Sequence, residues 1–119
     1  MFSGESIFMA TYTCAAPQSE IVFSSSFPGS IAALELTPGR EYICQKSAFL
    51  CSQPTVTLSA TMTRSVFSGM FGGEGFVMQK LSGQGMAFLE IDGSLVEYNL
   101  APGQVLKVDT GNVACFEST

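Results

Sequence analysis

The stretch Val56-Thr57-Leu58-Ser59-Ala60-Thr61-Met62 alternates apolar side chains with hydroxyls without a break. Successive side chains of an extended chain point to opposite faces, so this run predicts a strand with one buried and one polar face. The rest of the chain repeats the design in shorter pieces. Apolar or alternating runs bounded by turn residues predict strands at Ser6–Thr13, Ile21–Ser24, Ile31–Leu36, Glu41–Cys44 and Ala48–Cys51. Further runs lie at Phe76–Leu81, Met86–Ile91, Ser94–Leu100, Val105–Val108 and Val113–Phe116. No window of a dozen residues keeps a helical period free of Gly or Pro, so no long helix is expected. Phe27-Pro28-Gly29-Ser30, Thr37-Pro38-Gly39-Arg40 and Ala101-Pro102-Gly103-Gln104 each set Pro before Gly, the chemistry of a type II turn. Asp92-Gly93, flanked by strand-like sequence, predicts a tight hairpin. About ten short strands in one chain of 119 residues predict a single all-β domain, a sandwich or barrel.

Glycine is concentrated between Gly69 and Gly85, in Gly69-Met70-Phe71-Gly72-Gly73-Glu74-Gly75 and Leu81-Ser82-Gly83-Gln84-Gly85. Phe2-Ser3-Gly4-Glu5-Ser6 echoes Phe71-Gly72-Gly73-Glu74-Gly75, and Leu36-Thr37-Pro38-Gly39-Arg40 echoes Leu100-Ala101-Pro102-Gly103-Gln104. Matched turns at both ends suggest an internal pseudo-repeat, residues 1–62 and 66–119, two β units stacked about a pseudo-twofold and sharing one core. The glycines do not make a phosphate loop. No Gly-Lys-Ser/Thr follows them, and Glu74 in their midst would repel phosphate. They read instead as tight turns or bulges where backbones approach closely.

Only 13% of residues are charged, about half the usual share, so some surface is expected to lie against another subunit. The net charge of −5, with Arg40, Lys46, Arg64, Lys80 and Lys107 scattered along the chain, excludes the clustered cations that nucleic acid or an anionic membrane surface requires. No apolar run reaches the ~18 residues of a membrane span. Cys14, Cys44, Cys51 and Cys115 show no paired spacing and the chain has no His, so neither a zinc site nor a His-assisted nucleophile is expected. With no signal-like segment at the N-terminus, the cysteines read as free, small apolar groups in a reducing compartment. The expected location is the cytoplasm of a prokaryote or an organelle of a eukaryote, not the secretory route.

The second unit carries the most specific residues. Phe71-Gly72-Gly73-Glu74-Gly75-Phe76-Val77-Met78-Gln79-Lys80-Leu81-Ser82-Gly83, then Leu100-Ala101-Pro102-Gly103-Gln104 and Val108-Asp109-Thr110-Gly111, resemble the signature of a mitochondrial-biogenesis family. That family is named for altered inheritance of mitochondria and has many bacterial members. Phe2–Met9, Ser26–Gly29 and Ile43–Leu50 of the first unit agree with it. The resemblance implies a fold similar to the tryptophan RNA-binding attenuation protein (TRAP) and symmetric oligomers, and it transfers no catalytic residue. Family domains extend beyond both ends of this chain, so an incomplete sheet with open edges is expected here.

Two groups stand out as candidate sites. Phe67, Met70 and Phe71 cluster in a glycine-rich stretch where three large apolar groups are hard to bury, which suggests a subunit interface against the alternative of internal packing. Glu5 and Glu74 occupy matched positions and would share a proton or a cation across the pseudo-twofold, unless each merely caps nearby amides. No catalytic, cofactor or metal residue is assigned. The reading is a non-enzymatic, self-associating β protein with a scaffold or assembly role, a homo-oligomer of which a trimer is one form, with or without a further protein partner. The alternative is a small-ligand module with an apolar crevice between the units, lined by Phe and Met.

Overall fold

The alternation at Val56–Met62 becomes a strand whose Val56 is buried while Thr57 and Ser59 face solvent. It is one of seven strands in a computed structural model that describes residues 9–62 and 77–118. In chain order these are β1 (Gly29–Leu36), β2 (Glu41–Gln45), β3 (Phe49–Ser52), β4 (Val56–Met62), β5 (Val77–Gly83), β6 (Gly85–Asp92) and β7 (Cys115–Ser118). Short 3-10 turns at Lys46–Ala48 and Thr110–Asn112 are the helical segments among the described residues. The all-β expectation holds. All pairing is antiparallel, in a three-stranded sheet ordered β1-β6-β3 and a four-stranded sheet ordered β4-β5-β2-β7.

The two sheets share one core. β1 and β6 of the first contribute Leu36, Ala87, Leu89 and Ile91, and the second contributes Tyr42, Cys44, Val56 and Leu81. Period-two patterning does this work, since Ala87, Leu89 and Ile91 alternate with Phe88 and Glu90, which point away from the partner sheet. The chain passes from sheet to sheet five times, and two of these crossings are tight glycine corners. Thr37–Arg40 closes with Arg40 N–H donating to Thr37 O at 2.9 Å and Gly39 at φ +87°, as the Pro-Gly pattern predicts. Ser82-Gly83-Gln84-Gly85 is the second corner, with Gly83 at φ +107° and Gly85 at φ +143°.

Several expectations need correction. Asp92-Gly93 does not close a hairpin: β6 has β1 along its whole length on one side and β3 beside Ala87–Leu89 on the other, and Ser94–Leu100 does not return to pair with it. Ile21–Ser24, Ser94–Leu100 and Val105–Val108 carry strand-like sequence but pair with no described strand. Gly29 is not a turn residue. It opens β1 opposite Asp92, where a Cβ would run into the Ile91 carbonyl oxygen.

Edge strand β7 is held by a charged clamp. Arg40 Nη2 lies 2.6 Å and its Nε 2.7 Å from Glu117 Oε1, Tyr42 O–H donates to the same oxygen at 3.2 Å, and the guanidinium sits 5.6 Å from the Tyr42 ring centre. The hydrogen bond from Arg40, and then its charge, hold the Glu117 carboxyl below the usual carboxylate range. A depressed folded pKa means the unfolded chain takes up the proton first as pH falls. The clamp therefore contributes fully above the ordinary Glu pKa and is lost as pH drops through the lowered folded value. Glu117→Gln is expected to flatten the acid limb of a plot of unfolding temperature against pH, and equal acid limbs for both proteins would contradict this.

Candidate functional site

An all-β domain hides apolar side chains between its sheets, so large ones left outside mark where something else belongs. Thirteen such side chains are exposed among the described residues, and they are not scattered. Six lie before β1, namely Met9, Tyr12, Ile21, Val22, Phe23 and Phe27. Six lie between β6 and β7, namely Leu95, Val96, Tyr98, Leu100, Val105 and Leu106. The last is Ile31 on β1.

The second group has the form of a strand without a sheet. Val96, Tyr98 and Leu100 recur at every second position and are 70%, 65% and 54% exposed, the spacing that lines one face of a strand. Among the described residues, the one backbone–backbone hydrogen bond within Ser94–Val108 is Gln104 N–H to Ala101 O at 2.9 Å. It closes the Ala101–Gln104 turn with Gly103 at φ +84°, and Gln104 Oε1 accepts from Ala101 N–H at 2.7 Å. Two apolar arms thus leave one well-made turn, with no backbone ladder to any described strand.

Phe23 of the first group and Ile31 border a depression on the outer face of the three-stranded sheet. Phe23, Ile31, Leu50, Cys51 and Phe88 line a hollow of about 350 Å³. Phe88 lies opposite Ala33 of β1 and Cys51 of β3, which places the hollow across the middle of the sheet. Tyr12 meets Phe23 edge to face, ring centres 5.9 Å apart, and so fixes the depression's outer wall. Acids flank it. Glu90 is paired in register with Ile31, and Glu35 with Met86.

Charge offers little chemistry at either place. Arg40 is committed to Glu117, and Lys80 to Glu41 at 2.8 Å. Among the described residues, no three His, Cys, Asp or Glu side chains lie close enough together to hold a metal ion. No described helix is long and apolar enough to cross a membrane.

The sequence profile of the mitochondrial biogenesis family AIM24 matches residues 1–119, the whole chain. The chain belongs to the AIM24 family. No curated protein matches it. The site candidates read from the AIM24-like glycine stretch, Phe67, Met70, Phe71 and Glu74, lie outside the described residues, as does Glu5. The apolar surface found in this AIM24 chain involves other residues. Its signal was present in the sequence as a surplus of strand-patterned segments over the ladder positions two small sheets can offer. It could be counted only once the pairing was known.

Proposed function

We propose that the chain is a non-enzymatic AIM24-family β protein that self-associates through Ser94–Val108 and the apolar surface before β1, and serves as a scaffold or assembly partner. The observation that carries this reading is the exposed alternate row Val96, Tyr98 and Leu100 in a segment with no backbone ladder to any described strand. A strand-patterned apolar segment that has no backbone ladder among the described residues is completed by another strand and another sheet, and a second copy supplies both. The area is sufficient. Thirteen large side chains at 39–82% exposure present on the order of 1,000 Å², taking 150–250 Å² for a large aromatic and somewhat less for the others. A standard interface needs about 800 Å² from each partner. Closed symmetry would limit the assembly, a trimer being one such form. The complete absence of His and the pairing of Arg40 and Lys80 with acids favour a binding role over catalysis.

Sedimentation equilibrium tests the proposal. The wild-type chain is expected to form a discrete oligomer at micromolar concentration. Val96→Ser with Tyr98→Ser should return it to monomer with an unchanged far-ultraviolet spectrum. A monomeric wild type, or an oligomer indifferent to the double substitution, would overturn the reading.

The hollow at Phe23, Ile31 and Phe88 favours a second reading, a small apolar ligand bound by the domain. It lies on the outer face of one sheet, away from the crevice between units that the sequence suggested. A thermal-shift screen with apolar metabolites that raises Tm in the wild type and not in Phe88→Ser would favour it over self-association alone.

A further inference from the structure

The four cysteines are of two kinds. Cys14 is exposed and Cys51 lines the outer hollow, whereas Cys44 and Cys115 stand opposite each other on adjacent strands β2 and β7. In an antiparallel ladder, opposed residues alternate between pairs that exchange both backbone hydrogen bonds and pairs that exchange none. Gln45 N–H donates to Ala114 O at 3.1 Å, so that rung is bonded and the next, Cys44 with Cys115, is not. Non-bonded rungs bring Cα atoms to about 4.5 Å, within the ~4.4–6.8 Å range a disulfide spans. Both side chains leave the same face of the sheet. Cys44 is part of the core and Cys115 packs against it.

We propose that Cys44 and Cys115 are a redox modification site, closing to a cross-strand disulfide that fastens edge strand β7 to the four-stranded sheet. The oxidant is a small peroxide, since Cys44 is fully buried and Cys115 only partly accessible. Cys115, the less enclosed, gives up its proton, and its sulfur attacks one peroxide oxygen. The O–O bond breaks, a sulfenic acid forms, and the departing oxygen takes the proton and leaves as water. The Cys44 sulfur then attacks the sulfenic sulfur. The S–S bond forms as the S–O bond breaks, and the hydroxide leaves with the Cys44 proton as a second water. Two electrons have passed from the thiol pair to the peroxide.

Burial pushes both thiols up, Cys44 to about 12, so the first step is slow and the pair stays reduced under ordinary conditions. The second step needs no encounter, because the partner thiol is already opposite. Closing the bond restrains the unfolded chain over most of its length and ties down the strand that follows the apolar Ser94–Val108 segment.

Peptide mapping decides the proposal. Cleavage after Lys and Arg places the cysteines in four separate peptides, 1–40, 41–46, 47–64 and 108–119. The folded protein, treated with hydrogen peroxide and then blocked with iodoacetamide, is expected to yield 41–46 joined to 108–119. It should also melt about 10 °C higher than the reduced form. The Cys14→Ser, Cys51→Ser variant leaves the core untouched and should give the same linkage, while Cys115→Ser should abolish both the link and the rise in Tm. Peptides joined through Cys14 or Cys51 while Cys44 and Cys115 remain as thiols, or over-oxidised Cys115 with no link, would overturn it.

Discussion

Leu81→Ala is expected to destabilise the domain by about 3 kcal/mol, the midrange for emptying a fully buried leucine site. Leu81 has no exposed surface and sits in the middle of β5, opposite Leu58 of β4 and Tyr42 of β2. Those two ladders hold the four-stranded sheet together, and the same side chain packs within the core cluster that includes Leu36 and Leu89 of the other sheet. The cavity therefore opens where both sheets meet, with little freedom to collapse. A domain of this size holds about 5–15 kcal/mol in total, so the variant should keep its fold and lose roughly 10–15 °C of Tm. Thr57→Ala on the exposed face of β4 is the control, with an expected change within about 0.5 kcal/mol. Urea unfolding of both proteins measures the difference, and equal midpoints would contradict the shared core.

Gly83→Ala is expected to do comparable or greater damage for a different reason. Gly83 ends β5 at the corner where the chain leaves one sheet for the other, and its φ of +107° is a conformation that side chains resist. A Cβ there would also collide with the Thr55 carbonyl oxygen, a backbone atom with no rotamer to change. Strain of about 1–3 kcal/mol adds to the cost of moving the start of β4, for a total of at least about 3 kcal/mol. Gly39→Ala separates the two causes. Gly39 has a similar φ of +87° but nothing within 4 Å of its Cβ position, so it should cost about 1 kcal/mol. If both variants lose the same stability, the close approach at Thr55 contributes nothing.

Much of the fold is legible in the sequence because the relevant signals are local. The hydroxyl alternation of β4 fixes its faces. The Pro-Gly pairs at Thr37–Arg40 and Ala101–Gln104 set two turns with the expected positive φ at Gly39 and Gly103. The glycines Gly83 and Gly85 mark close backbone approach, at Thr55 and at the Thr55 and Gln53 side chains. What misleads is partner choice. Asp92-Gly93 looks like a hairpin because the residues on both sides can be strands, but β6 takes β1 and β3 as its partners instead of the segment that follows it. The same limitation hides the exposed row Val96, Tyr98 and Leu100, whose pattern is that of any half-buried strand. Burial is a property of the neighbour, and the neighbour is not in the segment. Cys44 and Cys115 were invisible for a related reason, since their approach is set by the register of β2 on β7 and not by spacing along the chain.

If the chain self-associates as proposed, Ser94–Leu100 becomes a paired strand only when copies of the chain meet. Amide hydrogen exchange across a dilution series tests it most directly. Amides of Ser94–Leu100 are expected to be protected at high protein concentration and to exchange freely on dilution, while those of β5 and β6 stay protected throughout. Fast exchange in Ser94–Leu100 at every concentration, or protection that dilution does not remove, would contradict it.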